Sequence, residues 1–225
     1  MIRCLDGEPD LATRAIKTGA TRQDPDPYFL GAIHHYIFEG DTALHVAAAA
    51  HEIDVAECLA AHGAEVRARN RRGAEPLHYA ADGSPGASHR DRDAQREMIA
   101  YLIGAGAHPD VLDKSGVAPL HRAVRNRSSD AVSALIAHGA DPRLVNKSGS
   151  TPLHLAVQNT GKSNSGSDAA KHEQRLIILS LLQHGASPSD VDANGKSVFD
   201  AATSDWVRRM LDRPLTDSAR RKPDM

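Results

Sequence analysis

Thirteen histidines and two cysteines stand in this 225-residue chain, and residues of these types raise chemistry first. Histidine titrates near neutral pH and ligates zinc, so a cluster would point to acid–base catalysis or a metal. Such sites need pairs at short fixed spacing. The chain has no His-x-x-x-His and no Cys-x-x-Cys pair, and Cys4 and Cys58 lie far apart. His34 and His35 are neighbours, and neighbouring side chains point to different sides of a helix or strand. No metal site and no cofactor is expected. Gly161-Lys162-Ser163 has the ending of a phosphate-binding loop, but the glycine required five residues earlier is Ala156 and no strand precedes it. Serines are plentiful without a Gly-x-Ser-x-Gly elbow. The chain presents no catalytic set, and an enzyme is not expected.

The histidines recur by position instead. His45, His78, His121 and His154 each follow a leucine in related strings: Thr42-Ala43-Leu44-His45, Glu75-Pro76-Leu77-His78, Ala118-Pro119-Leu120-His121 and Thr151-Pro152-Leu153-His154. Ser197-Val198-Phe199-Asp200 is a decayed fifth copy. The shared apolar residue, at Leu44, Leu77, Leu120, Leu153 and Phe199, advances by 33, 43, 33 and 46 residues. A second landmark, Gly-Ala, falls at Gly19, Gly63, Gly106, Gly139 and Gly185. The last four of these precede the next apolar landmark by a constant 14 residues.

From about residue 5 to residue 213 the chain resembles the ankyrin-repeat family, whose period is 33 residues. The resemblance implies an all-α solenoid of stacked helix-turn-helix units with short turn or hairpin fingers. One domain, 1–213, is expected: a partial N-terminal unit at about 5–26, an aromatic insertion at 27–40, repeats at 41–72, 73–115, 116–148 and 149–194, and a C-terminal cap at 195–213. Residues 214–225 read as a polar tail. The resemblance also makes the four Leu-His pairs structural, each imidazole bonding to backbone near the turn and tying neighbouring units.

The local letters agree. A glycine sits four residues before each shared apolar residue, at Gly40, Gly73, Gly116, Gly149 and Gly195, where a tight turn needs positive φ. Thr42, Thr151 and Ser197 are good N-caps, and Pro76, Pro119 and Pro152 suit the first helical position. Glu75 and Ala118 lack the capping hydroxyl, so their helices are expected to start less firmly. Second helices show apolar residues at helical spacing, such as Val132, Leu135 and Ile136. Each ends at Gly-Ala, with His62, His138 and His184 before the glycine, where a helix C-terminus favours a donor.

Composition narrows the setting. Aromatics are 4% of the chain and its net charge is −2, which disfavours a conventional large core and nucleic acid as a partner. The cysteine spacing suggests no disulfide framework, hence a reducing compartment. Residues 1–10 lack the apolar run of a signal peptide, and no stretch approaches the ~18 apolar residues of a membrane span. A soluble, cytoplasmic monomer is expected, with export to act in another cell as the alternative.

Individuality lies where the period breaks. The gap from Gly19 to Leu44 is 25 residues rather than 14 and carries Tyr28, Phe29, Tyr36 and Phe38. These rings either cover the N-terminal end of the stack or form a partner-binding knob. Two further insertions, roughly 82–97 and 159–173, separate the two helices of alternate units on one edge and read either as solvated loops or as a second contact surface.

In this family, partners are gripped by finger tips and the exposed side of each first helix. By position, that face carries Arg71, Arg72, Lys114 and Lys147 at the tips and Arg125 and Gln158 on the helices. It is a basic stripe in a slightly acidic chain. The reading is a non-catalytic interaction module or adaptor meeting an acidic segment of a protein, with Arg71 and Arg72 as bidentate contacts. A dedicated inhibitor or regulatory partner of an enzyme is a narrower alternative. A nucleotide or polyanion sensor using the basic tips is another, disfavoured because the tips hold no ring to stack a base.

Overall fold

The computed structural model describes residues 8–82, 91–159 and 166–212. The proposed tail, Cys4, the Gly161-Lys162-Ser163 string and the middle of both later insertions fall outside them. Among the described residues ten α-helices follow in order: α1 (Ala43–Ala50), α2 (Ile53–Ala61), α3 (Pro76–Ala81), α4 (Arg92–Gly104), α5 (Pro119–Arg125), α6 (Ser129–Ala137), α7 (Pro152–Ala156), α8 (Asp168–Gln183), α9 (Val198–Ala201) and α10 (Asp205–Leu211). The odd-numbered helices pack in one row, α1 on α3, α3 on α5, α5 on α7 and α7 on α9. The even ones form a second row from α2 to α8. The architecture is a helical solenoid whose core is the seam between rows. Leu44, Leu77, Leu120 and Leu153 are fully or almost fully buried there, and none could be buried by its own repeat alone.

The repeat histidines lock the seam with one tautomer. In each, Nδ1 accepts the backbone N–H of the residue capping its own helix: Thr42, Glu75, Ala118 and Thr151, at 3.1 to 3.2 Å. Nε2 therefore carries the proton and donates to a carbonyl of the next repeat. The acceptors are Ala74, Val117, Ser150 and Lys196, at 3.0 to 3.2 Å. His62, His138 and His184 each place Nδ1 2.8 Å from the carbonyl four residues earlier.

Helix starts differ as the missing hydroxyls suggest. The Thr42 and Thr151 hydroxyls lie 3.0 and 2.9 Å from their histidine Nδ1. At the same place in α3 stands Glu75, fully buried, with Oε1 accepting from Arg69 Nε at 3.0 Å. Its Oε2 has no partner among the described residues. Burial pushes this carboxyl above its ordinary pKa, and nearby Arg69 only partly offsets that. Glu75→Thr is therefore expected to stabilise the chain by about 1 kcal/mol at neutral pH, since it removes an under-paired buried acid and restores the cap. Urea unfolding of the two proteins checks this, and a lower midpoint for the variant would refute it.

Each of the four later fingers is an Asx turn in which Oδ1 of Asn70, Asp113, Asn146 or Asp192 accepts two backbone N–H groups at 2.8 to 3.1 Å. Gly116 and Gly149 close two of them at φ +69° and +71°. A Cβ at either would stand 2.9 or 2.4 Å from the backbone nitrogen of the next finger, Lys147 or Ala193. Positive φ and close approach both demand glycine there.

The insertions are less loop-like than their composition suggests. Their C-terminal parts are helix, because α4 begins at Arg92 and α8 at Asp168 and they run 13 and 16 residues against 9 for α2 and α6. Both extensions meet over the start of α6. Arg92 bridges Glu173 at 2.8 Å and Asp130 at 3.0 Å, and Glu173 also accepts the Ser129 N–H.

Both ends depart from expectation. The N-terminal unit holds no second helix among the described residues: Pro9–Ala12 is a single 3-10 turn. The chain after it runs beside the first finger, with Ile16 N–H on Asp41 O at 2.7 Å and Gly40 N–H on Ile16 O at 2.8 Å. At the other end Phe199 is 39% exposed while Val198 is fully buried, and among the described residues no further repeat covers the leucine position. Cys58 is disulfide-bonded, with its partner outside the described residues. That corrects the expectation of no disulfide and removes the cysteine argument for a reducing compartment.

Candidate functional site

The aromatic insertion folds into a two-stranded hairpin, β1 (Phe29–Leu30) paired antiparallel with β2 (His35–Tyr36). Its turn uses His34 at φ +49°. Ile33 and Phe38 pack against the core, whereas Phe29 and Tyr36 are exposed and lie against each other, ring centroids 4.8 Å apart. His35 crosses to the second repeat. Its ring centroid lies 4.3 Å from that of Tyr79, and Nε2 is 3.4 Å from Asp82 Oδ2.

Asp82 is the centre of a charged floor. Arg122, on α5, donates through Nη1 to Asp82 Oδ2 at 2.7 Å and through Nη2 to Asp113 Oδ2 at 3.3 Å, and Asn126 Nδ2 donates to Asp82 Oδ1 at 2.9 Å. Burial works against the Arg122 charge, but the two aspartates outweigh it and raise its pKa. Burial likewise pushes Asp82 up, and Arg122 with His35 brings it below its ordinary value. Asp113 follows the same balance, with the Val117 and Ser115 amides joining Arg122. Beneath lies a second buried network. Asp41 accepts Tyr79 Oη at 2.8 Å, Asn70 Nδ2 at 2.8 Å and Phe38 N–H at 2.6 Å. Burial and Asp41 together push the Tyr79 phenol far up, so it stays a neutral donor.

Above this floor opens a cleft of about 600 Å³, walled by the hairpin on one side and by α5 and the finger tips on the other. Of the residues singled out from the sequence, Arg72, Arg125, Tyr36 and Phe38 line it. Arg71, Lys114, Lys147, Gln158, Tyr28 and Phe29 do not. Arg71 is turned back toward the N-terminal segment, donating to Ala20 O at 3.0 Å with Glu39 3.6 Å away. It is not the concave bidentate contact that the sequence suggests. Lys147 donates to the Lys114 carbonyl and so stitches two fingers. The backbone carbonyl of Gln158 is also structural, accepting from Arg127 and Gln174 at 2.8 Å. Nor are the tips without rings, since the Arg72 guanidinium lies 4.5 Å over Phe38.

Sequence reasoning missed Arg122, Asp82, Asp113 and His35 as a unit. A signal existed in the register of the repeats: Arg122 occupies a position held elsewhere by Val46, Tyr79 and Leu155, and Asp82 the position of Arg125 and Gln158. Among the described residues no group of histidine, cysteine and carboxylate side chains could hold a metal ion, and no helix is long and apolar enough to cross a membrane.

Comparison with known families agrees with this architecture. A family model described as ankyrin repeats (3 copies) matches residues 1–89 and 87–166, and one described as ankyrin repeat matches residues 148–193. A search of curated proteins finds no match.

Proposed function

We propose, from the premise that this chain belongs to the ankyrin-repeat family, that it is a non-catalytic protein-binding module whose concave cleft grips an acidic segment of a protein partner. Ankyrin repeats are generally protein–protein interaction modules. One observation carries the finer reading: the cleft's arginines differ in whether a carboxylate neutralises them. Arg122 is neutralised by Asp82 and Asp113. Arg72 and Arg125, on the rim, make no side-chain hydrogen bond or ion pair among the described residues, and Ser115, Asn126, Asn146 and Ser148 add polar groups around them. Such a rim favours carboxylates, and Arg presents them a planar fork. The same face would serve an adaptor or a dedicated inhibitor of an enzyme, and the partner's identity decides between those roles.

A labelled polyglutamate peptide is a suitable probe. Its affinity is expected to fall steeply as salt rises, and Arg125→Glu is expected to weaken it at least about tenfold, since a charge reversal on a focused rim costs on the order of 1.4 kcal/mol or more. Arg125 is exposed, so the variant should fold as the parent does by circular dichroism. Salt-independent binding, or an unchanged affinity in Arg125→Glu, would remove the acidic-segment reading.

A further inference from the structure

On the far side of the hairpin wall lies a second cleft, of about 350 Å³, lined by Arg22, Arg71, Arg72, Pro25, Tyr36 and Phe38 together with Ala20 and Thr21. Its walls are fastened by backbone. Ala20 N–H donates to Ile37 O at 2.8 Å and Arg71 N–H to Glu39 O at 2.7 Å. Gly19 passes so close to the segment after β2 that a Cβ there would lie 2.4 Å from Glu39 N. The Arg71 guanidinium is held by Ala20 O at 3.0 Å. Three arginines thus line one small cleft that no aspartate or glutamate lines. The nearest counter-charge is Glu39, 3.6 Å from Arg71 and itself half exposed. Arg22 and Arg72 have no side-chain hydrogen bond or ion pair among the described residues.

We propose that this cleft is a phosphate-monoester subsite taking a phosphorylated side chain of a protein partner. A single carboxylate would leave most of the positive charge uncompensated. A phosphate monoester brings a charge of about −1.5 to −2 and three strong acceptor oxygens, which matches several guanidinium forks. The rings do not favour a nucleotide. Phe38 already carries Arg72 on its face, and Tyr36 lies against Phe29, so neither offers a base the open platform that stacking needs. Arg72, Tyr36 and Phe38 line both clefts, but Arg22 and Arg71 line only this one and Arg125 only the other, which lets the two readings be tested apart.

The test is an NMR titration of the isotope-labelled full chain with O-phosphoserine, glutamate and AMP at constant ionic strength. O-phosphoserine is expected to shift the amides of Arg22, Tyr36 and Arg72 saturably, with glutamate about tenfold weaker as befits one charge fewer. Arg22→Ala, at an exposed position, should remove the response, while Arg125→Glu should retain it. Glutamate binding as tightly as O-phosphoserine, AMP binding more tightly than it, or an undiminished response in Arg22→Ala would each overturn the proposal. Failure of the polyglutamate probe in the concave cleft would leave this result untouched.

Discussion

Arg122→Leu is expected to destabilise the stack by about 2–4 kcal/mol at neutral pH, somewhat under the usual cost of removing one partner from a fully buried ion pair, because Arg122 and Asp82 are part-buried, at 16% and 18% side-chain exposure. Shape is not the reason. The same position holds Val46 and Leu155 in two other repeats, so an aliphatic side chain fits the α5 surface. The cost comes from what is left behind. Asp113 keeps the Ser115 and Val117 amides on Oδ1, whereas Asp82 is left with Asn126 and a 3.4 Å contact to His35. Asp82 is therefore the stranded charge, and Arg122→Leu combined with Asp82→Asn should recover a large part of the loss. A double-mutant cycle from urea unfolding measures that coupling. A single variant within about 1 kcal/mol of the parent would mean that water already screens the floor, because exposed pairs contribute no more than that.

The repeat letters made the stack legible because each acts locally. A glycine at positive φ, a capping threonine and a proline at the first helical position constrain only their own few residues, and they do so in every copy. The roles of His45, His78, His121 and His154 are not local, since each Nε2 bonds to the next repeat, and they are legible only through the family resemblance. The site was less legible because it joins departures from the repeat that lie far apart. His35, Asp82 and Arg122 belong to an insertion and two different units, and only packing of α3 on α5 beneath the hairpin brings them together. Arg71 shows the converse error. Its position in the repeat points it at a partner, but the irregular N-terminal segment offers Ala20 O first. Position in the repeat fixes the backbone of a finger but not where its long side chain goes: Arg72 lines the cleft, whereas Lys147 turns to the Lys114 carbonyl.

The same histidines that staple the solenoid should make it acid-labile well above the carboxylate range. Burial lowers the pKa of His45, His78 and His121, in His78 from 6.5 to about 4. Protonation would also put a hydrogen on Nδ1, which accepts the capping N–H of Thr42, Glu75 and Ala118. A folded-state pKa below the unfolded one contributes stability that is complete above the unfolded value, here 6.5, and is lost as pH falls toward the folded value. Protonating His78 costs about 3 kcal/mol of stability by pH 4, because folding must oppose a proton that the unfolded chain binds readily, and His45 and His121 act in the same direction. Asp82, Asp113 and Glu173 are held below their unfolded values of 3.8, 3.8 and 4.5, so their losses begin only at the acid end of this window. Glu75 has the opposite sign, since its raised pKa makes acidification relieve a penalty. Urea midpoints measured from about pH 7 to about pH 4.5 should therefore fall steadily. His78→Gln should start lower at neutral pH yet fall less steeply, which separates a titrating staple from a merely structural residue. Parallel profiles for the parent and His78→Gln would show that the acid response arises elsewhere.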